Sequence, residues 1–246
     1  MKKLRKIASL QGLAAHWRGH VLLFDKPHVP PTYEPAAGRR LLLIVAALEG
    51  LRVALTPLQP RLPPLWLQVP IYLGLALLSV RVVAGLAFSE IGFRRWREWN
   101  PTEKSYFIQI MVIANVVFPM VFASRLRTIL AEPGVITTIW TVFVPYLVYG
   151  FYQEVLYRGM LQTELVRRWG ALRRIAVSNS LYTFGPLHYY YFFSAAASLA
   201  VPMFAAIFAI GLLFAIIFRR SGNLWIVAVM HGIGNSYIVG SLGTVR

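Results

Sequence analysis

Residues 194–218 read SAAASLAVPMFAAIFAIGLLFAIIF and contain no charged side chain. A helix needs about 20 mostly apolar residues to cross the hydrocarbon core of a bilayer. The stretch is therefore predicted to be a transmembrane helix. Arg219 and Arg220 follow it directly, and basic residues beside an apolar run are typical of a cytoplasmic loop.

Further apolar runs of this kind occur along the 246-residue chain. The seven predicted spans are 40–58, 63–88, 105–124, 135–166, 172–191, 194–218 and 222–243. The second and fourth exceed one span and are expected to tilt, break or continue along the surface. Splitting one of them would give eight spans. We predict an all-α polytopic membrane helix bundle, with a basic N-terminal tail (1–39) and one transmembrane domain (40–246).

The composition supports a lipid environment and excludes several other classes. The chain is 57% hydrophobic, whereas soluble domains are about 45–50% apolar. Its 25 Lys and Arg residues against 9 Asp and Glu form short clusters between apolar runs, so we expect the lipid bilayer and not a nucleic acid as partner. The chain has no cysteine, which excludes disulfides and thiolate chemistry.

The distribution of basic residues predicts the orientation. Basic clusters occur in the tail and in the loops after the second, fourth and sixth spans, so the N-terminus is expected in the cytoplasm. Frequent Arg, Ala and Leu suggest a GC-rich bacterium, and hence the bacterial inner membrane. The tail has no apolar stretch and is not a signal peptide. Whether it lies on the membrane surface or is disordered stays open.

Ionisable residues inside a bilayer are costly and usually face a partner or a cavity. Glu49 and Arg52 of the first span are three residues apart and are predicted to form a structural pair. A second set is spread over three other predicted helices. Its members are Gln153, Glu154, Arg158, His188, His231 and Asn235. At a rise of 1.5 Å per residue, Glu154, His188, His231 and Asn235 lie roughly 16–22 Å from the cytoplasmic helix ends, which predicts one shared site.

These residue types suit hydrolysis within the membrane. A buried carboxylate beside a histidine can activate water, and the Asn235 amide is suited to binding an oxyanion. A zinc site is the runner-up, because His and Glu are zinc ligands, although no His-Glu-x-x-His helix is present. A transporter with a proton relay would need two related halves, and the chain has no internal repeat.

The same residues resemble a family pattern. The chain looks like the CAAX-protease and bacteriocin-processing membrane proteins, or type II CAAX prenyl endopeptidases, over about 90–243. That family carries Glu-Glu-x-x-x-Arg, Phe-x-x-x-His and His-x-x-x-Asn on three helices. The corresponding residues are Gln153, Glu154 and Arg158, then Phe184 and His188, then His231 and Asn235. The resemblance implies a glutamic intramembrane protease in which a glutamate and His188 activate water while His231 and Asn235 support the oxyanion.

One position departs from the pattern. The first of the two family glutamates is usually taken as the catalytic one, and here it is Gln153, whose amide is not a base near neutral pH. Glu154 and Arg158 share a helical face and can pair, which suggests a structural role for Glu154. Three interpretations stay open: Glu154 serves as the base, the chain is a natural inactive member, or Gln153 is an engineered substitution.

The predicted function is an intramembrane endopeptidase that hydrolyses a peptide bond of a membrane-associated protein or peptide. We expect Glu154, His188, His231 and Asn235 to be catalytic, supported by Gln153, Arg158 and Phe184. No cofactor and no metal are expected. The alternatives are an inactive member that acts as a membrane scaffold or immunity factor, and a zinc-dependent variant of the same protease.

Overall fold

The computed structural model describes residues 28–131, 134–188 and 196–238, and within these ranges the chain forms eight helices and no strand. We number them α1 to α8. Their bounds are Pro35–Leu55, Leu65–Val82, Pro101–Val121, Ala123–Ala131, Val135–Trp169, Ala171–Phe184, Ala197–Ser221 and Leu224–Ile238. The predicted all-α membrane helix bundle is confirmed.

Five helices of the described ranges are long and apolar enough to cross a membrane, where the sequence predicted seven spans. They are α1 with its 3-10 extension to Leu58, α2, α3, α5 and α7. The other two predicted spans are shorter as helices, since α6 has 14 residues and α8 has 15 described residues. The 35-residue α5 is one continuous element, so the alternative of eight spans by splitting it is wrong.

The predicted span 172–191 is wrong over its last part. Helix α6 ends at Phe184, and His188 lies in the turn that follows. Gly185 and Pro186 explain this end, because glycine favours helix ends and the residue before a proline disfavours the helical conformation. Residues 189–191 lie outside the described residues. So do residues 1–27 of the predicted tail, and α1 begins at Pro35.

Two glycines bring α5 and α8 into backbone contact, and this contact is the most extensive between any two of the described helices. A Cβ added at Gly150 would lie 2.5 Å from the Gly232 nitrogen, and one added at Gly232 would lie 2.6 Å from the Leu147 carbonyl oxygen. Small residues permit this approach of membrane helices. Gly234 of the same helix does not take part, since a Cβ there would have nothing within 4 Å.

Helix α5 contains two π-helical segments, Ile139–Phe143 and Val155–Gln162. Such segments are rare and occur frequently at functional sites. The first is tied to α8 by the Ser236 hydroxyl, which donates to the Phe143 carbonyl at 3.0 Å. The second follows Glu154 directly and contains Tyr157 and Arg158. The polar residues of the candidate site therefore lie where α5 departs from regular α-helical geometry.

The other end of α5 is fixed to the start of α1. The Tyr33 hydroxyl donates to Glu164 Oε2 at 3.0 Å, and the same carboxylate accepts from Arg167 at 2.8 Å and from Arg168. Burial and the nearby Glu164 carboxylate raise the pKa of Tyr33. A Cβ at Gly38 would lie 2.2 Å from Glu164 Oε2, so α1 passes close to this ion cluster.

Candidate active site

A buried carboxylate and a histidine form the centre of the site. Glu154 Oε1 lies 2.8 Å from His231 Nδ1, and Glu154 is fully buried while His231 is 7% exposed. Helix α5 supplies the glutamate and α8 supplies the histidine, which the glycine contact described above brings together. A carboxylate on Nδ1 keeps the proton there and leaves the lone pair on Nε2. We therefore assign His231 as the Nδ1-H tautomer.

The second oxygen of Glu154 faces a buried arginine. Glu154 Oε2 is 3.4 Å from Arg158 Nε, and neither side chain is exposed, so the ion pair predicted from their spacing is confirmed. Arg158 Nη2 donates to the Gly211 carbonyl at 2.9 Å, and its guanidinium lies 4.8 Å from the centre of the Tyr182 ring. Glu154 is thus held between a histidine and an arginine, and it is closed to solvent.

Gln153 and Asn235 form an amide pair beside this ion pair. Asn235 Nδ2 donates to Gln153 Oε1 at 3.1 Å. Gln153 is 3% exposed, and Asn235 is partly exposed. A glutamate at position 153 would offer Asn235 an acceptor at the same place. The amide therefore keeps the hydrogen bond that a carboxylate would make, but without its charge or basicity.

Both histidines pack against Tyr182, a residue that the sequence did not single out. The Tyr182 ring centre is 5.2 Å from that of His188 and 6.0 Å from that of His231, in edge-on arrangements. Its hydroxyl is 3.4 Å from His231 Nε2. Its carbonyl lies 2.9 Å from His188 Nδ1. That carbonyl belongs to the last turn of α6, where carbonyl groups have no partner inside the helix.

These contacts give the two histidines the same tautomer, with the proton on Nδ1. A carbonyl only accepts hydrogen bonds, so His188 donates from Nδ1 and carries its lone pair on Nε2. Tyr182 holds both rings, and the sequence offered no signal for it, because a tyrosine in an aromatic-rich helix has no motif of its own. The turn after Phe184 brings His188 back beside the end of α6.

Two further predictions concern Phe184 and the zinc-dependent alternative. Phe184 is 47% exposed, and its ring packs against Phe204 and Phe208 of α7 at 5.6 and 6.1 Å. This contact supports helix packing for Phe184. Among the described residues, no three His, Cys, Asp or Glu side chains come together as a set that could hold a metal ion. The zinc-dependent alternative therefore has no ligand set in this part of the chain.

The fold and the site define an integral membrane protein with a buried polar centre suited to hydrolysis. Residues 135–237 match the family model described as Type II CAAX prenyl endopeptidase Rce1-like. Over this segment the chain is similar to the CAAX protease family, which is a family of proteases. The match begins later than the resemblance expected from about residue 90, and helices α1 to α4 lie outside it. No curated protein and no solved structure matches the chain.

Proposed function

We propose that the chain is an active intramembrane endopeptidase in which His231, oriented by Glu154, activates water. The 2.8 Å contact between Glu154 Oε1 and His231 Nδ1 carries the proposal. A buried carboxylate on Nδ1 fixes the imidazole and stabilises its protonated form, as in other hydrolases that use a histidine base. Glu154 itself is enclosed by His231 and Arg158, so it acts through the histidine and is a positioning residue.

The reaction proceeds by attack of a water oxygen on the scissile carbonyl carbon. His231 Nε2 takes one proton from the water as the carbon–oxygen bond forms. The tetrahedral intermediate carries the negative charge on the former carbonyl oxygen. His231 then returns its proton to the leaving amide nitrogen as the carbon–nitrogen bond breaks. The products are a carboxylic acid and an amine, and the resting state of His231 is restored.

Asn235 is assigned to the oxyanion. Its amide nitrogen carries two hydrogens, of which one is donated to Gln153 Oε1 at 3.1 Å. The second is assigned to the developing negative charge, where a fixed donor in a site without bulk water contributes strongly. Gln153 then serves to hold Asn235 in orientation, a task that an amide oxygen performs as well as a carboxylate does.

His188 is assigned to the substrate side of the site. Its Nδ1 is fixed by the Tyr182 carbonyl, and Nε2 is the nitrogen that can accept a proton or a hydrogen bond. We assign it to hold the attacking water together with His231. The two imidazoles share the Tyr182 ring as a common support, which supports their acting on the same water molecule.

The test is cleavage of two fluorescent probes by the purified chain in lipid nanodiscs. One probe is a prenylated CAAX-type peptide, the substrate class in the family's description, and the other is a single-pass transmembrane peptide. His231→Ala and His188→Ala are expected to abolish cleavage. His28→Ala, which removes a histidine outside the membrane spans, serves as the matched control. Full activity in both site variants would refute the proposal.

A catalytically inactive binding protein is the second candidate, and Gln153 favours it. In this case the Gln153–Asn235 pair would be the remnant of a catalytic site, and the cellular role would depend on binding without cleavage. The same assay separates the two functions, because an inactive member binds the probes without producing any new terminus in either of them.

A further inference from the structure

A cavity of about 950 Å³ lies between the segment 83–100, which joins α2 to α3, and the first turn of α8. Its volume is at the upper end of the range for ligand sites in proteins. Two residues of its wall, Phe88 and Trp96, are 43% and 49% exposed, so the cavity is open to the surroundings of the protein. The wall is mainly aromatic, and its rings belong to Phe88, Phe93, Trp96, Trp99, Phe107 and Trp225.

The cavity extends from the membrane surface into the level of the hydrocarbon chains. Helices α2 and α3 are long and apolar enough to cross a membrane, so the segment between them lies at a membrane surface. Leu77 and Phe107 line the cavity, five and six residues inside these helices, which corresponds to roughly 8–9 Å. A headgroup layer is about 5–8 Å thick. A ligand in the cavity therefore contacts both layers.

Contacts within the protein hold the cavity wall in place. Arg94 Nη1 donates to Glu103 Oε1 at 2.8 Å and to the Ser221 carbonyl at 3.1 Å, and Glu103 is fully buried. The Leu224 N–H donates to the Gly92 carbonyl at 2.8 Å. These bonds connect the segment 83–100 to α3, to the end of α7 and to the start of α8. The cavity is thus formed without a ligand.

Positive charge remains at the cavity after Arg94 and Glu103 have paired. Arg95 lines the cavity and is exposed, and Arg97 next to it is exposed as well. Lys104 Nζ lies 5.6 Å from the centre of the Trp96 ring. The negative charge of the wall is that of Glu98, whose Oε2 accepts from the Arg95 main-chain N–H at 3.2 Å. Three cations therefore stand against one carboxylate.

The depth and the charge together select the class of ligand. A soluble anion would be attracted by the cations but would leave the aromatic wall without a contact. A neutral lipid would contact the aromatic wall but would leave the cations without a partner. Aromatic side chains are enriched at the interface of membranes, and basic residues near the surface attract anionic lipids. An anionic lipid satisfies both parts of the cavity.

We propose that this cavity binds one anionic phospholipid. The lipid phosphate is placed at Arg95, and the upper part of the acyl chains is placed against the aromatic wall near Trp96 and Phe107. The inference does not depend on the proposed function, because lipid binding can be measured on a chain that cleaves nothing.

The test of the charged part is a lipid titration of the full chain, purified free of lipid in detergent and followed by native mass spectrometry. We expect one molecule of phosphatidylglycerol to bind, and phosphatidylcholine to bind at least fivefold more weakly. Arg95→Gln should raise the apparent Kd for phosphatidylglycerol about fivefold, the effect of one basic side chain near an anionic lipid. Arg97→Gln is the matched control, since Arg97 is exposed in the same segment and does not line the cavity. It should leave the Kd nearly unchanged.

The test of the apolar part is Trp96→Ala, which removes one side of the aromatic wall. We expect it to raise the Kd for phosphatidylglycerol about tenfold through the loss of buried apolar area. Trp140→Ala is its control, because Trp140 is 63% exposed on α5 and does not line the cavity. Each titration is run well below the melting temperature of its variant, so that a partial loss of stability does not affect the comparison.

Several results would overturn the proposal. Equal affinity for the two lipids, or an equal loss of affinity in Arg95→Gln and Arg97→Gln, would show attraction by general surface charge. Displacement of the lipid by inorganic phosphate at the same concentration would assign the cavity to a soluble anion. Tighter binding of the prenylated peptide probe than of phosphatidylglycerol, lost in Trp96→Ala, would assign the cavity to a substrate.

Discussion

Replacing Glu154 by glutamine tests whether this carboxylate serves chemistry or only structure. The substitution removes the negative charge that lies 2.8 Å from His231 Nδ1 and 3.4 Å from Arg158 Nε. Arg158 would then be a fully buried cation without an anionic partner, with its hydrogen bond to the Gly211 carbonyl and its contact with the Tyr182 ring remaining. Leaving one member of a buried ion pair without its partner costs about 3–5 kcal/mol. We therefore expect Glu154→Gln to lower the melting temperature by on the order of 10 °C.

This loss of stability would obscure any loss of activity, so a second variant is needed. Glu154→Gln combined with Arg158→Met removes both charges and keeps similar volumes, and such replacements of buried ion pairs are often neutral or stabilising. We expect the double variant to recover its melting temperature and to remain at least about a hundredfold less active, because His231 lacks its carboxylate partner.

The assay measures both quantities on the same nanodisc preparations. Thermal unfolding gives the melting temperature, and release of fluorescent product gives the initial rate at saturating probe. Glu34→Gln and Arg81→Met, which replace an exposed glutamate and an exposed arginine, are the matched controls. A double variant that recovers both its stability and more than half of the parent activity would refute the assignment, since Glu154 would then serve structure alone.

Three further predictions follow from local geometry. Gly232→Ala should lower stability and activity together, because its Cβ meets the Leu147 carbonyl at 2.6 Å, whereas Gly234→Ala on the same helix should change neither in the same melting and cleavage assays. Gln153→Glu should keep the bond from Asn235 and change kcat little, while a rise of about a hundredfold or more would identify residue 153 as the missing base. His28 has its pKa lowered by burial and two neighbouring arginines. The unfolded chain therefore takes up this proton first, and the melting temperature should fall below about pH 6.5, less steeply in His28→Gln.

Much of the site could be predicted from the sequence because polar residues are few within apolar membrane-spanning segments and are therefore easy to identify. The depths of Glu154, His231 and Asn235 along their helices suggested one level, and the structure brings these residues within hydrogen-bonding reach of a partner on the opposite helix. The helical pairing of Glu154 with Arg158 also followed from spacing. These predictions needed only helix geometry and the cost of charge in lipid.

Other features depend on contacts that spacing does not encode. The apolar run 172–191 predicts a helix that includes His188, whereas the helix ends at Phe184, before Gly185 and Pro186, and His188 lies in the turn that follows. The π-helical segments have no simple sequence pattern. The packing of α1 against the π-helical segment 155–162 is a contact between residues about 100 positions apart, which local spacing cannot predict.

Isotope incorporation tests the central claim most directly. The parent chain is incubated with the membrane-anchored probe in water enriched in oxygen-18, and the products are analysed by mass spectrometry. Hydrolysis by activated water predicts one oxygen-18 atom in the new carboxyl group of the parent reaction and no product with His231→Ala. The same labelled product from His231→Ala, or no product from the parent chain, would contradict the claim that His231 and Glu154 activate water for peptide hydrolysis.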